Sequence, residues 1–314
     1  MKKQTFFLTI FLMVPVLLKA QQDPQFSQNM FTQLLINPGY AGSEDKICVY
    51  ALNRTQWTGF EGSPMITVLN MDAAINPFNI PLGVGVSLQN DELGFNKDFQ
   101  LNVSLAYKQP LGNGNLGIGV KWGIANTSIS TEGSEWITPV DPVENDIAIP
   151  VNGSEDLSLL DFGFGIFYKT QDLYLGISST HINQAELSLD QSNTYLARHY
   201  YITAGYYLPF NNPLFEFNPG IIVQSDGKNT QLGVHGLVSY NKKVWGGVSL
   251  RTDYAITGIF GVELFKWVKV SYAYDFVVSD IMGYNDGSHE IMMGFCFDVR
   301  KDKTPEKYKS IRFL

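Results

Sequence analysis

The sequence predicts an all-β fold, a transmembrane antiparallel up-and-down β-barrel of about 14 strands. Three observations lead there. Short segments alternate apolar and polar residues along most of the chain, glycine and aromatic residues are abundant, and past Ala20 no apolar stretch is long enough for a spanning helix. Apolar residues make up 45% of the chain and aromatics 13%, against 17% charged, with 29 glycines. That balance suits pleated surfaces and tight turns better than helices, which favour Ala, Leu, Glu and Lys. A helical membrane protein is excluded.

The alternation is clearest from Val268 to Phe276, where Val268, Val270, Tyr272, Tyr274 and Phe276 share one face and Lys269, Ser271, Ala273 and Asp275 the other. It recurs over 82–88, 101–107, 116–122, 162–166 and 291–297. The strands expected are 45–57, 65–75, 82–90, 97–109, 115–128, 159–169, 172–179, 198–208, 215–225, 230–240, 244–251, 255–264, 268–278 and 288–299. Many have the roughly 9–11 residues that a tilted strand needs to cross a bilayer. The connections also alternate. After every second strand comes a tight turn rich in Pro, Gly or Asn, while the other set includes long stretches near 130–158, 180–197 and 281–288. An even strand count puts both termini in the periplasm.

Closure follows from solvation, because backbone groups facing hydrocarbon have no water to bond and an antiparallel sheet removes its edges only by pairing its first strand with its last. Trp57, Trp122, Tyr168, Tyr207, Trp245 and Trp267 lie near strand ends and are expected to form interfacial aromatic belts.

Domain organisation is read as a signal peptide over 1–20, an N-terminal plug or periplasmic segment over 21–44, the barrel over 45–299 and a periplasmic tail over 300–314. Lys2 and Lys3 precede an apolar run from Phe6 to Leu18, too short for a spanning helix, and cleavage is placed after Ala20. Its removal takes three lysines, so the mature chain keeps 19 basic and 30 acidic groups, a net charge of −11 that argues against nucleic acid as a partner. In the segment before the first strand, Phe26, Met30, Phe31, Leu34 and Leu35 form an apolar face suited to packing in or under the barrel mouth.

Candidate chemistry is sparse. His181, His199, His235 and His289 form no metal-binding spacing, and no Gly-x-Ser-x-Gly elbow is present, so no catalytic, cofactor or metal residue is assigned and the chain is read as a non-enzyme. Gly83 with Gly85, Gly117 with Gly119 and Gly163 with Gly165 alternate inside strands with no following helix, as barrel glycines do. A lumenal Ser/His pair is a further reading that nothing singles out. Cys48 and Cys296 fall on the two strands that closure makes neighbours, and both are expected to point inward. They form a possible seam thiol pair, with free thiols favoured because barrel shear can separate them by several residues.

Several pieces of the chain, taken in order, resemble one family. They are Asp23, Pro24, Phe26, Ser27 and Gln28; Asn37, Pro38, Tyr40, Ala41 and Gly42; Arg54 and Trp57; His199 to Tyr206; Tyr274 and Asp275; and Ser288, His289 and Glu290. Together they are similar to the PorP/SprF family of type IX secretion membrane proteins, along nearly all of the mature chain. Gly39 departs from the alanine usual in that box. The resemblance implies an outer-membrane protein of secreting or gliding Bacteroidetes. It implies two kinds of partner beside outer-membrane lipid: periplasmic ring or peptidoglycan-linked subunits, and a large secreted adhesin with a C-terminal sorting signal. The alternative function is a passive porin or FadL-like small-molecule channel.

Overall fold

The computed structural model describes residues 23–59, 62–130, 154–189, 192–252, 255–265, 267–278 and 285–297. The stretches read as a signal peptide (1–20) and as a periplasmic tail (300–314), with most of the 130–158 connection, lie outside these residues. The strands are β1 (Ile47–Thr55), β2 (Met65–Ile75), β3 (Leu82–Leu93), β4 (Asn96–Leu111), β5 (Gly114–Ser130), β6 (Ser154–Lys169) and β7 (Leu173–Thr180). There follow β8 (Glu186–Leu189), β9 (Ser192–Tyr195), β10 (His199–Tyr206), the two-residue β11 (Leu208–Pro209), β12 (Phe215–Ser225), β13 (Thr230–Tyr240), β14 (Val244–Arg251), β15 (Ala255–Leu264), β16 (Val268–Val277) and β17 (Ser288–Phe297).

Fourteen of these strands form a closed antiparallel barrel. Neighbours in sequence pair from β1 to β7, β7 pairs with β10, β10 with β12, and β12 to β17 continue in order. The ring ends where β17 returns to β1, in a register that sets Ile47 opposite Phe297 and Thr55 opposite His289. β11 only extends the line of β10, and β8 with β9 form a separate hairpin in the connection expected as a plain loop.

Strand alternation sorts the side chains as the sequence predicts. On β16, Tyr272 and Phe276 face out, while Ser271, Ala273 and Asp275 are buried inside. One set of connections is short throughout, at 76–81, 112–113, 170–172, 210–214, 241–243 and 265–267. We call this the turn end; it also holds the start of β1 and the finish of β17. The other, the loop end, carries the long connections but also three tight ones, the link 252–254 from β14 to β15 among them. β3 and β4 are joined by Gly94 and Phe95 alone, because both strands run further there than alternation by itself suggests, and 226–229 link β12 to β13 as the sequence predicts.

The aromatic belt expectation holds only in part. Trp267 is half exposed at the turn end, and Tyr168 donates to the Leu111 carbonyl there at 3.1 Å. Trp245 instead faces the lumen and is buried, its ring lying over Gly261. Tyr207 also turns inward, against Tyr174, and Trp122 is exposed halfway along β5. Residue parity decides this: a strand residue one step out of phase enters the lumen whatever its affinity for an interface.

The seam departs from the expectation of free thiols. Cys48 and Cys296 are directly opposed in register, with Cα atoms 4.1 Å apart, and are joined as a disulfide. The Cys296 N–H turns away to the Trp267 carbonyl at 3.1 Å, so the two cysteines form a non-hydrogen-bonded pair, the kind that brings opposite Cα atoms closest. Shear does not separate them, because the whole seam is in register. A cross-link closing a loop this long is worth about 2–4 kcal/mol. Alkylation of oxidised, folded protein followed by mass spectrometry should label neither cysteine. Labelling of both would leave the seam to hydrogen bonds alone.

Candidate functional site: a plug latched inside the barrel

Residues 23–44 run lengthwise through the lumen. They contain a 3-10 turn (Asn29–Phe31), one helical turn (Gln33–Ile36) and a second 3-10 turn (Pro38–Tyr40). The segment starts at the loop end, beside Thr180 and His199, and finishes at the turn end, where Glu44 bonds Lys169 and Lys108 bonds Asp45 at 2.6 Å. The expectation of both termini on one side therefore fails for the described chain: Asp23 and Phe297 occupy opposite ends of the barrel.

Two arrangements hold this plug. Along its lower half, backbone lies directly on backbone. Ala41 crosses Gly83 so closely that a Cβ on that glycine would sit 1.8 Å from the Ala41 carbonyl oxygen. Gly39 rests in the same way on β5 and β6, where a Cβ would meet the carbonyl oxygens of Gly117 at 2.8 Å and Gly165 at 2.9 Å. The paired glycines inside strands are thus the track on which the plug lies, and the glycine at 39, where alanine is usual in this box, fits that contact. Asn37 fixes the bend, accepting from the Gly39 N–H at 2.9 Å and donating to the Ile166 carbonyl at 3.0 Å. Gly42 donates to Asp72 at 2.9 Å, Lys108 reaches the Gly42 carbonyl at 2.7 Å, and Lys121 reaches that of Leu35 at 3.1 Å. Tyr40 packs edge-on against Phe167.

At the loop end the plug is held by charge. Arg54, on β1, is fully buried at 0% exposure. Its guanidinium donates to Asp275 on β16 at 2.6 Å, to Glu290 on β17 at 3.1 Å and to the Ser27 hydroxyl at 2.9 Å. Ser27 completes the contact, its hydroxyl donating to Asp275 at 2.6 Å and its N–H to Glu290 at 2.9 Å, while the Gln28 N–H takes the other Glu290 oxygen at 2.8 Å. Thr257 donates to Asp275 at 2.7 Å, Arg251 reaches Ser27 at 3.2 Å, and Ser271 bonds the Gln28 side chain. Two guanidiniums thus stand with two carboxylates across a serine, so that opposite charges face one another.

A second polar group receives Asp23. His181 lies between Asp23 and Asp161, each 2.9 Å from one ring nitrogen, so both nitrogens donate. Tyr201 and Thr180 donate to the other Asp23 oxygen at 2.6 and 3.1 Å. His199 accepts the Asp23 N–H on Nε2 at 3.3 Å and donates from Nδ1 to the Ala197 carbonyl at 2.9 Å. Burial works against the charged form of Asp23, yet the His181 cation and the Tyr201 hydroxyl hold its carboxyl well below the usual carboxylate range. Burial likewise opposes a charged His181, but Asp23 and Asp161 push its pKa up to about 9. The nearby hydroxyls of Thr180 and Tyr201 donate to Asp23 and not to a histidine, and among the described residues no group of three or more His, Cys, Asp or Glu is placed to hold a metal.

Most residues singled out in the sequence meet here. Asp23, Ser27, Arg54, Asp275 and Glu290 form the loop-end contacts, and Trp57 joins them by donating its N–H to Ser288 at 3.1 Å. Pro24 lies beside Asp23, and Phe26 is buried with Leu52 and Met292. Asn37, Pro38, Tyr40 and Gly42 make the glycine-track contact. Tyr274 and His289 do not take part: both face out, where the Tyr272 hydroxyl meets His289 at 2.6 Å and Tyr274 donates to the Asp286 carbonyl at 2.8 Å. The sequence reading missed Asp161, Thr257, Arg251, Lys121 and the pairing of His181 with His199. Their one signal is a charged or polar residue on the inward phase of a strand, which in a filled lumen needs a partner.

The pieces that share this interface are spread from Asp23 to Glu290, and one family model spans them: type IX secretion system membrane protein PorP/SprF, matching residues 18–295. The chain belongs to the PorP/SprF family. It is accordingly an outer-membrane β-barrel of the type IX secretion system. No curated protein matches its sequence. Among solved structures, the barrel is similar to the Acinetobacter baumannii outer membrane protein Omp33, at 7% identity over 81% of this chain and 98% of that one, with a TM-score of 0.45. It is also similar to the TodX deltaS2S3 mutant monoaromatic hydrocarbon channel, at 10% identity over 85% and 94% with a TM-score of 0.47. A mutant of the Rh. blastica porin matches at 11% identity over 80% and 99%, with a TM-score of 0.35. In this PorP/SprF barrel, unlike an open tube, the N-terminal segment lies inside the wall.

Two outcomes test the plug contacts. Arg54→Ala leaves Asp275 and Glu290 without their shared cation and should destabilise the protein by about 3–5 kcal/mol. Thermal unfolding in detergent reads this as a lower midpoint, and an unchanged midpoint would deny the cluster any net energy. The second concerns pH. A histidine whose folded pKa is raised contributes stability that is complete below its ordinary value of 6.5 and is lost as pH rises through about 9. Asp23 acts at the other limit, its contribution present above the ordinary value of 3.8 and lost only as pH falls through its lowered folded value. The plug should therefore loosen progressively as pH rises from 6.5 to about 9, with conducting events in planar bilayers becoming more frequent at pH 10 than at pH 7 in the parent, but not in His181→Gln.

Proposed function

We propose that this barrel is a plugged docking component of the secretion machine and not a conduit. On this reading the turn end faces the periplasm. Its turns and tail engage ring or peptidoglycan-linked subunits, and the loop end meets a partner adhesin whose export or surface retention the barrel supports, as gliding or secreting cells require. The observation that carries it is the plug, bound at both ends and lying against the wall between them. A lumen so occupied has no through path for a polypeptide, and the disulfide holds the β1–β17 seam against lateral opening. A non-enzymatic role belongs to the same reading.

Gene deletion tests the reading. Loss of particular adhesins from the cell-surface proteome, with general outer-membrane composition kept, is expected. A surface proteome identical to the parent would remove the secretion role. Steady single-channel conductance of the purified wild type at neutral pH would instead favour a passive channel.

A further inference from the structure

Within the barrel, opposite charges meet. Arg54 stands between Asp275 and Glu290, and His181 between Asp23 and Asp161. At the turn end a cavity of about 410 Å³, with Phe31, Tyr174 and Trp245 in its lining, has a mouth whose charges are matched. Glu44 bonds Lys169 there, Glu216 faces Lys242 at 4.0 Å, and Glu263 is opposite Lys269 in register. One pair at the loop end breaks the pattern. Asp91, near the end of β3, is directly opposite Asp98, near the start of β4. Both are on the inward phase, Asp91 in step with Ser87 and Gln89 and Asp98 in step with Asn102 and Ser104, which are buried in the lumen. Like charges opposed across a ladder repel.

Among the described residues no cation answers this pair. Asp91 meets the buried, apolar Ile66 on the β2 side, and Asp98 meets Thr127 on the β5 side. His181 lines the same cavity, but Asp23 and Asp161 already hold it. One Asp98 oxygen is buried without a hydrogen-bond partner. One step deeper, Gln89 is opposite Gln100. Gln89 is 4% exposed, lines the cavity with the two carboxylates, and makes no hydrogen bond among the described residues. Burying an amide in that state is costly, so its place here points to a partner other than protein. The cavity between these side chains and Asp23 and Pro24 of the plug is about 70 Å³, room for an ion with bound water.

We propose that this patch of β3 and β4 binds one calcium ion. Asp91 and Asp98 supply the charge, Gln89 and Gln100 the amide oxygens, and Thr127 a hydroxyl, all of them lining the one cavity. Two carboxylates with neutral oxygen donors, and no histidine or cysteine in the set, suit a hard cation and not zinc or another transition metal. Calcium accepts roughly six to eight oxygens in irregular geometry, whereas magnesium demands a near-ideal octahedron and keeps most of its water. Side chains fixed by strand register match the first demand better than the second. With two carboxylates the affinity belongs to the weak range, a Kd of about 0.1–1 mM. The ion would relieve the repulsion between the strands and bind them beside the start of the plug. None of this rests on the docking reading.

The test uses the full exported chain, purified in detergent, freed of lipopolysaccharide because its phosphates also bind divalent cations, and stripped with EDTA before dialysis. Calorimetric titration with calcium chloride should give one site per chain. The thermal unfolding midpoint should rise as calcium passes the Kd. In Asp91→Asn with Asp98→Asn both responses should be lost, while without calcium this variant should unfold at or above the parent's midpoint, since the repulsion is gone. That second reading shows that the variant folds and separates an ion site from a hydrogen-bonding role. Gln89→Leu keeps both carboxylates and should raise the Kd. No calorimetric site in the parent, or calcium binding retained by the double asparagine variant, would overturn the proposal. So would a double variant less stable than the parent without calcium, or a midpoint shift that sodium or magnesium reproduces at matched ionic strength.

Discussion

The structure depends on backbone hydrogen bonding where no water is available. In hydrocarbon an unpaired N–H or C=O costs several kcal/mol, so an antiparallel sheet is tolerable there only if its last strand finds its first. β17 does so over the full length of β1, from Ile47 opposite Phe297 to Thr55 opposite His289. Once that ring exists, strand parity assigns each side chain to lipid or lumen, and the enclosed side acquires needs of its own. The disulfide at the turn end secures the same closure covalently, at the point where chain connectivity does nothing to hold two strands together.

Inside the ring, the lumen of a barrel this size is too wide for its own side chains to fill, and the N-terminal segment occupies part of it. Two kinds of contact hold the segment because the wall offers two kinds of surface. Where the inward residues are glycines, plug backbone can touch strand backbone, and contact of shape alone orients it. Where they are charged, ion pairs do the work, and these tolerate burial only as a complete set. Arg54 with Asp275 and Glu290 unanswered would cost more than the plug contact gains, so Ser27 and Gln28 are as necessary as the charges. His181 between Asp23 and Asp161 repeats the same balance with a group whose charge depends on pH.

This arrangement explains why short motifs from opposite ends of the chain belong together. Asp23, Ser27, Arg54, Asp275 and Glu290 are one interface seen in cross-section, and a substitution in any of them leaves a partner buried and unpaired. It also divides the molecule functionally. The loop end is sealed by charge, whereas the turn end keeps an open, aromatic cavity beside matched surface charges, so the two mouths of the barrel offer different chemistry to their surroundings.

Strand positions, the strand number and the inward direction of Cys48 and Cys296 were legible in the sequence, because alternation between two solvents leaves a period of two that needs no knowledge of neighbours. Val268 to Phe276 can be read alone. The apolar face of Phe26, Leu34 and Leu35 likewise announced a segment that had to be buried. Tertiary structure decided the register and everything that register brings together. Shear sets how far one strand slides past another, and no local pattern encodes it, so the opposition of the two cysteines, the Asp23–His181–Asp161 contact and the meeting of Arg54 with Asp275 appeared only in space. Trp245 and Tyr207, which resemble interfacial aromatics in sequence, lie inside because their place in the pleat outweighs their preference for an interface. Glycines at 83, 117 and 165 were visible as an alternation, but their purpose depends on a backbone that crosses them from elsewhere in the chain.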